Sequence, residues 1–223
     1  MTLQHVDILF QVIAFLFAIS VHESAHAWMA NRCGDPTARM LGRITLNPIK
    51  HIDLFGTVIL PLAALLAHMP LLGWAKPTPV DPRNFSSPVR DDILTSIVGP
   101  ISNFVVATGA TAVLVMLKIG SSFVREMVSG GGPTDPTSIL VPIFLFLYEL
   151  MVINVVLGVF NLIPMPPLDG SHVLRHFLPE PIRRGYDAVG WLGLLALVYL
   201  APGVLSRLLN PVLGVFKYIL VKA

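Results

Sequence analysis

Charge is scarce in this chain. Lysine, arginine, aspartate and glutamate make up 13% of its 223 residues, about half the share found in average soluble proteins. That shortage excludes an ordinary solvated globular surface. Cysteine is scarcer still. Cys33 stands alone, which excludes an internal disulfide and any multi-cysteine zinc site. Cys33 lies seven residues past His26 and off its helical face, so it reads as a bystander thiol. Residues 1–7 hold no lysine or arginine. The positive start of a secretory signal is therefore missing, and the first segment is expected to be retained. No polar stretch is long enough for an extra soluble domain. The chain has no repeat and no low-complexity tract.

Apolar runs are abundant. Hydrophobic residues reach 54% and the mean hydropathy is +0.75, as expected for an all-α polytopic membrane protein. Residues 8–30 form a first run long enough to span a bilayer. A polar, turn-rich stretch follows over 31–53, broken at Gly34-Asp35-Pro36, and 42–48 alternates loosely enough to predict a short strand or hairpin. The second run, 54–72, is interrupted by Pro61. Further runs cover about 93–117, 138–162, 185–200 and 204–221. The expectation is about five transmembrane helices plus one re-entrant or broken segment, all in one integral-membrane domain over 1–223. Its core would occupy about 8–174, followed by a helical hairpin over about 185–221. Trp28, Trp74 and Trp191 suit interfacial anchoring. The partners expected are the lipid bilayer and membrane proteins with a transmembrane segment, with no nucleic acid.

The first run contains His22-Glu23-Ser24-Ala25-His26. On a helix, positions i and i+4 share a face, so both imidazoles can address one metal ion. Glu23 projects beside them as a proton acceptor for water. Two neutral imidazoles and a carboxylate form the zinc-hydrolase arrangement. Each such group is costly inside a lipid-facing segment unless it is used or paired.

The basic residues bear on topology. If 54–72 crosses the membrane, the cytoplasmic loops hold Arg32, Arg39, Arg43, Lys50, Lys118, Arg125 and Arg207, which is 7 of 15. If it dips in and returns, they hold Arg32, Arg39, Arg43, Lys50, Lys76, Arg83, Arg90, Arg175, Arg183, Arg184, Lys217 and Lys222, which is 12 of 15. The positive-inside rule favours the re-entrant arrangement, with the site toward the cytoplasm of a prokaryotic inner membrane. Asp169 then emerges on the same side as His26. Pro164, Pro166 and Pro167 stiffen its approach, and Gly170 frees the backbone to turn after it. Asp169 is thus the candidate third ligand.

Taken together, these pieces resemble the site-2 protease family of intramembrane zinc metalloproteases. The resemblance rests on His22-Glu23-Ser24-Ala25-His26, on Gly99-Pro100-Ile101-Ser102-Asn103, and on Asn154 through Asn161-Leu162-Ile163-Pro164 to Leu168-Asp169-Gly170. Gly73-Trp74-Ala75-Lys76-Pro77 is similar to the small bacterial and archaeal members. The resemblance covers about 8–174. It implies one catalytic Zn2+ held by His22, His26 and Asp169, water activation by Glu23, and Asn154 lining the site at substrate or at the developing oxyanion. It also implies hydrolysis of peptide bonds in or near transmembrane segments, in regulated intramembrane proteolysis. Ser171 departs from the family, which commonly has a second glycine there. A small member is expected, without a PDZ or nucleotide-sensing domain. The alternative is a membrane metal transporter or metal-binding protein. Its pathway would need polar residues strung through several segments, whereas here they gather near His22, His26, Asn154 and Asp169.

Overall fold

An apolar chain in lipid must satisfy its backbone internally, and this one does so with helices. A computed structural model describes residues 3–59, 63, 74–131 and 137–223. Its helices are α1 (Leu3–Arg32), α2 (Thr37–Met40), α3 (Pro88–Gly120), α4 (Ser122–Val128), α5 (Leu140–Asn161), α6 (Asp169–Arg175), α7 (Glu180–Leu200) and α8 (Pro202–Lys222). Four helical stretches among the described residues are long and apolar enough to cross a membrane: Ile8–Arg32, Pro88–Gly120, Leu140–Asn161 and Pro202–Lys222. The expected fifth span, about 185–200, falls in α7. That helix begins at Glu180, carries Arg183, Arg184 and Asp187, and is broken at Gly190, whose φ is 44°. The expected broken segment over 54–72 lies mostly outside the described residues. Its start, Leu54–Ile59, is a wide helical turn of the π type.

The strand or hairpin expected over 42–48 does not form, and no strand occurs among the described residues. Local side-chain bonds displace it. The Asn47 side chain caps the 3-10 turn Pro48–Lys50 by accepting from the Ile49 N–H. Thr45 Oγ1 accepts from the Asn47 N–H. Such bonds compete directly with a strand ladder.

The chain divides into two compact units. The first comprises Met1–Ala18 and Pro100–Ala223. Its core is apolar: Leu114, Val124, Phe144 and Leu220 join α3, α4, α5 and α8. A second cluster gathers Ile163, Leu168 and Leu194. Lys118 Nζ donates to the Leu220 and Val221 carbonyls and so caps the end of α8. Val105, Met116 and Val215 lie exposed on spanning helices, as lipid-facing positions should.

The second unit is Ile19–Gly99. Here the ends of helices are fastened by polar groups. The last turn of α1 closes with the Asp35 N–H on the Ala30 carbonyl at 2.9 Å and the Gly34 N–H on the Asn31 carbonyl. This is a Schellman ending, and Gly34, at φ 106°, takes the backbone conformation it needs. Pro88 starts α3, where its missing N–H costs nothing. The Asp91 carboxylate reaches back to the Ser87 N–H at 2.7 Å.

Candidate active site

α1 carries the first three predicted site residues within five positions. His22 and His26 are buried and Glu23 is half-buried. The imidazole planes stand 81° apart with centroids separated by 4.6 Å. Their Nε2 atoms approach to 3.0 Å. His26 Nδ1 lies 2.6 Å from the Thr95 carbonyl oxygen. A carbonyl only accepts, so Nδ1 carries the proton and the Nε2 lone pair faces His22. Metal-binding imidazoles are commonly oriented in this way.

This pair fits zinc. Two nitrogens at about 2.0–2.1 Å on a tetrahedral ion stand about 3.3 Å apart. The 3.0 Å separation is near that value, and small ring rotations close the difference. The fit also depends on Gly99. A Cβ there would come within 2.6 Å of His26 Cε1 and 2.8 Å of His22 Cε1. The absence of a side chain on α3 is therefore what gives both rings their space. Pro100 follows within the helix. It cannot donate to the Ser96 carbonyl, which perturbs this turn of α3 beside the carbonyl that receives His26.

Glu23 does not hang free. Its Oε2 accepts from the Thr78 N–H at 2.9 Å and from Thr78 Oγ1 at 2.7 Å. Thr78 belongs to a stretch without helix or strand, 74–81. The Trp74 indole lies over Gly56, where an added Cβ would meet the ring at 2.5 Å, and Thr57 Oγ1 donates to the Trp74 carbonyl at 2.8 Å. Arg43, buried, donates to the carbonyls of Lys50, Lys76 and Pro77. Beyond Thr78, Asp35 is fully buried. It accepts from the Thr37 N–H and Oγ1, the Asp81 N–H and Asn84 Nδ2. Burial alone would push the Asp35 carboxyl up, but these bonds outweigh it and hold it below the ordinary range. At Asp81, the Arg83 guanidinium brings the carboxyl down to about 2.

The other two predicted residues lie in the first unit. Asn154 is fully buried on α5. Its Oδ1 accepts from Asn103 Nδ2 at 2.9 Å, and its Nδ2 donates to the Leu150 carbonyl. Asn103 Nδ2 also reaches the Ala18 carbonyl at 3.3 Å. Asn154 thus takes part in a polar clamp between helices. Asp169 opens α6, with Leu168 as the residue before the helix. Its neighbour Gly170 is not a free turn, as the sequence suggested. It is helical and pressed on the preceding chain, where a Cβ would meet the Leu162 carbonyl carbon at 2.6 Å and the Ile163 oxygen at 2.7 Å. Glycine is needed there for close approach.

Site contacts by Thr78, Arg43, Asp35 and Gly99 are not evident in the sequence. The signals are present in Pro77-Thr78-Pro79, in Gly34-Asp35-Pro36 and in Gly99-Pro100. Each reads as a break or as part of a motif, not as a contact.

Comparison with known proteins gives concordant results. The sequence profile of peptidase family M50 matches residues 10–200. A Bacillus subtilis (strain 168) protein named as a zinc metalloprotease, YwhC, is 37% identical over 173 residues, covering 77% of this chain and 70% of its own. A Mycolicibacterium smegmatis protein named as a zinc metalloprotease, Rip2, is 30% identical over 209 residues, covering 92% of this chain and 72% of its own. No solved structure matches at comparable stringency.

Proposed function

Because the chain belongs to peptidase family M50, the site-2 protease family, we propose that it cleaves peptide bonds within or near transmembrane segments of membrane proteins. The family makes it an integral membrane metalloprotease with a catalytic zinc. The proposal concerns the residues and the substrate. His22, His26 and Asp169 hold the ion, and Glu23 is the general base. The observation that carries this reading is the buried pair of Nε2 atoms at 3.0 Å with the Glu23 carboxylate fixed on the same helix.

Bound zinc supplies Lewis acidity, polarising a scissile carbonyl and bringing the pKa of water toward neutrality. The chain's own groups do the rest. His22 and His26 present nitrogen lone pairs, the second oriented through Thr95. Glu23 takes a proton from the attacking water and passes it to the leaving nitrogen. Asp169 adds charge as well as a ligand oxygen, on a turn that Gly170 keeps close to the preceding backbone. Asn154 spends one amide hydrogen on the Leu150 carbonyl, and its second is the one an oxyanion would use. The catalytic core is taken as about 8–174, within one protease domain over 1–223. The count of basic residues favours a site on the cytoplasmic side of a prokaryotic inner membrane, with 54–72 re-entering. Release of membrane-tethered regulators is the process such an enzyme serves.

The test is cleavage of a membrane-embedded substrate in detergent by Glu23→Gln. The expected loss is about 10²–10⁴-fold, the usual contribution of a positioned general base. Unchanged cleavage by this variant would sink the mechanism.

A further inference from the structure

A glutamate has three rotatable side-chain bonds, and fixing them costs entropy. A general base nevertheless has to sit within hydrogen-bond reach of the proton it takes. Here one residue does the fixing. Thr78 places its N–H on one carboxylate oxygen, Oε2, at 2.9 Å, and its hydroxyl reaches the same oxygen at 2.7 Å, with the Glu23 backbone carbonyl a second, longer acceptor for that hydroxyl at 3.0 Å. Among the described residues, no group other than Thr78 donates to the Glu23 carboxylate. Oε1 is therefore the oxygen left for chemistry.

The sequence around Thr78 prepares it for this. Pro77 and Pro79 have no N–H, so Thr78 carries the one amide donor in 77–79. Lys76 and Thr78 each precede a proline, which pushes both toward extended backbone. The stretch 74–81 forms neither helix nor strand, and Asp81 at its end is extended, at φ −108° and ψ 101°. It is also tied down on both sides. Upstream, Arg43 holds the Lys76 and Pro77 carbonyls, and the Lys76 N–H donates to the His51 carbonyl at 2.8 Å. Downstream, the Asp81 N–H donates to Asp35 at 2.8 Å, and the Ser86 N–H donates to the Cys33 carbonyl at 3.1 Å. Cys33 and Asp35 directly follow the helix that carries Glu23. The segment is thus referenced to the same helix as the base it holds.

We propose that Thr78 is a positioning residue for the general base, and that the Arg43- and Asp35-anchored 74–86 segment serves to hold its two donors on Glu23 Oε2. This rests on the reading of Glu23 as the base. Thr78→Val keeps shape and amide but deletes the hydroxyl donor; Thr78→Ser keeps both donors. With the full chain in detergent, Thr78→Val should lower kcat about 10–100-fold, as loss of an orienting partner does, with KM and zinc content unchanged. Thr78→Ser should restore most of that loss. Wild-type or raised kcat in Thr78→Val, a loss confined to KM, or equal loss in both variants would overturn the proposal.

A second arm needs no activity. Amide hydrogen exchange at Thr78 should be protected in the wild type and lose that protection in Glu23→Ala. The Lys76 and Asp81 amides, bonded elsewhere, should stay protected and so report an intact segment. Equal protection at Thr78 in both proteins would also overturn the proposal. An active Glu23→Gln would instead remove the base assignment, and the exchange arm would still show whether Thr78 holds Glu23. The two failures are therefore distinguishable.

Discussion

Each of the two units of this chain is held together internally by its own means. In Met1–Ala18 with Pro100–Ala223, helices meet through clusters such as Leu114, Val124, Phe144 and Leu220. In Ile19–Gly99, buried polar groups also fix the chain: Asp35, Arg43 and His51 are all almost fully enclosed. Apolar packing is non-directional and tolerates small shifts. A buried carboxylate with four donors specifies angles as well as distances. The unit that carries the His22–His26 pair and Glu23 adds to its own apolar cluster of Ala30, Cys33 and Phe85 a denser set of buried directional bonds, which suits a site where small displacements are expensive.

The sharpest way to break that contrast is Gly99→Ala. Its methyl would press on both imidazoles, so zinc affinity should fall by at least about tenfold and cleavage with it. Metal titration checks this, and full affinity in the Gly99→Ala protein would show that the rings have room to spare. Next is a matched pair. Leu114→Ala, in the apolar core, should cost about 2–5 kcal/mol of stability while zinc-loaded enzyme cleaves normally. Asp35→Ala should cost about 1–3 kcal/mol for the donors it strands, and it should also lower kcat, because the Asp81 end of the 74–86 segment is released. Thermal melts together with kinetics on both variants measure the difference.

The Asp35 carboxyl also gives a pH dependence. Its folded pKa is lowered, so it contributes stability above its unfolded pKa of about 3.9, and that contribution is lost as pH falls through the folded value. Acid melts should therefore be steeper below about pH 4 for the wild type than for Asp35→Asn. Equal slopes would remove Asp35 as the source. The smallest effect belongs to Arg83→Ala. Its ion pair with Asp81 is largely exposed on the arginine side, and exposed pairs contribute little, so no measurable change in Tm is expected.

The parts legible in the sequence are those set by local spacing and by contiguous apolar length. The i, i+4 imidazoles follow from helical spacing, and the helical class and the runs at 8–30, 93–117, 138–162 and 204–221 follow from the length and apolar content of contiguous segments. What stayed hidden was long-range pairing. Thr78 lies 55 positions from Glu23, and Thr95 lies 69 from His26. No local pattern announces either contact. The alternation over 42–48 misleads because Thr45 and Asn47 bond their own backbone, which periodicity does not register. Gly170 is obligatory for close approach and not for free turning, and both reasons leave the same letter. The run at 185–200 falls in α7, whose charged start and break at Gly190 are features that hydropathy does not register.

The most direct test of the ligand set is zinc K-edge absorption on the Glu23→Gln protein, with and without Asp169→Ala. A site of His22, His26 and Asp169 gives scattering from two imidazoles with N/O ligands at about 2.0–2.1 Å, and loses an oxygen ligand or the ion itself when Asp169 is removed. A sulfur scatterer at about 2.3 Å, which would implicate Cys33, or a spectrum unchanged by Asp169→Ala, would contradict it.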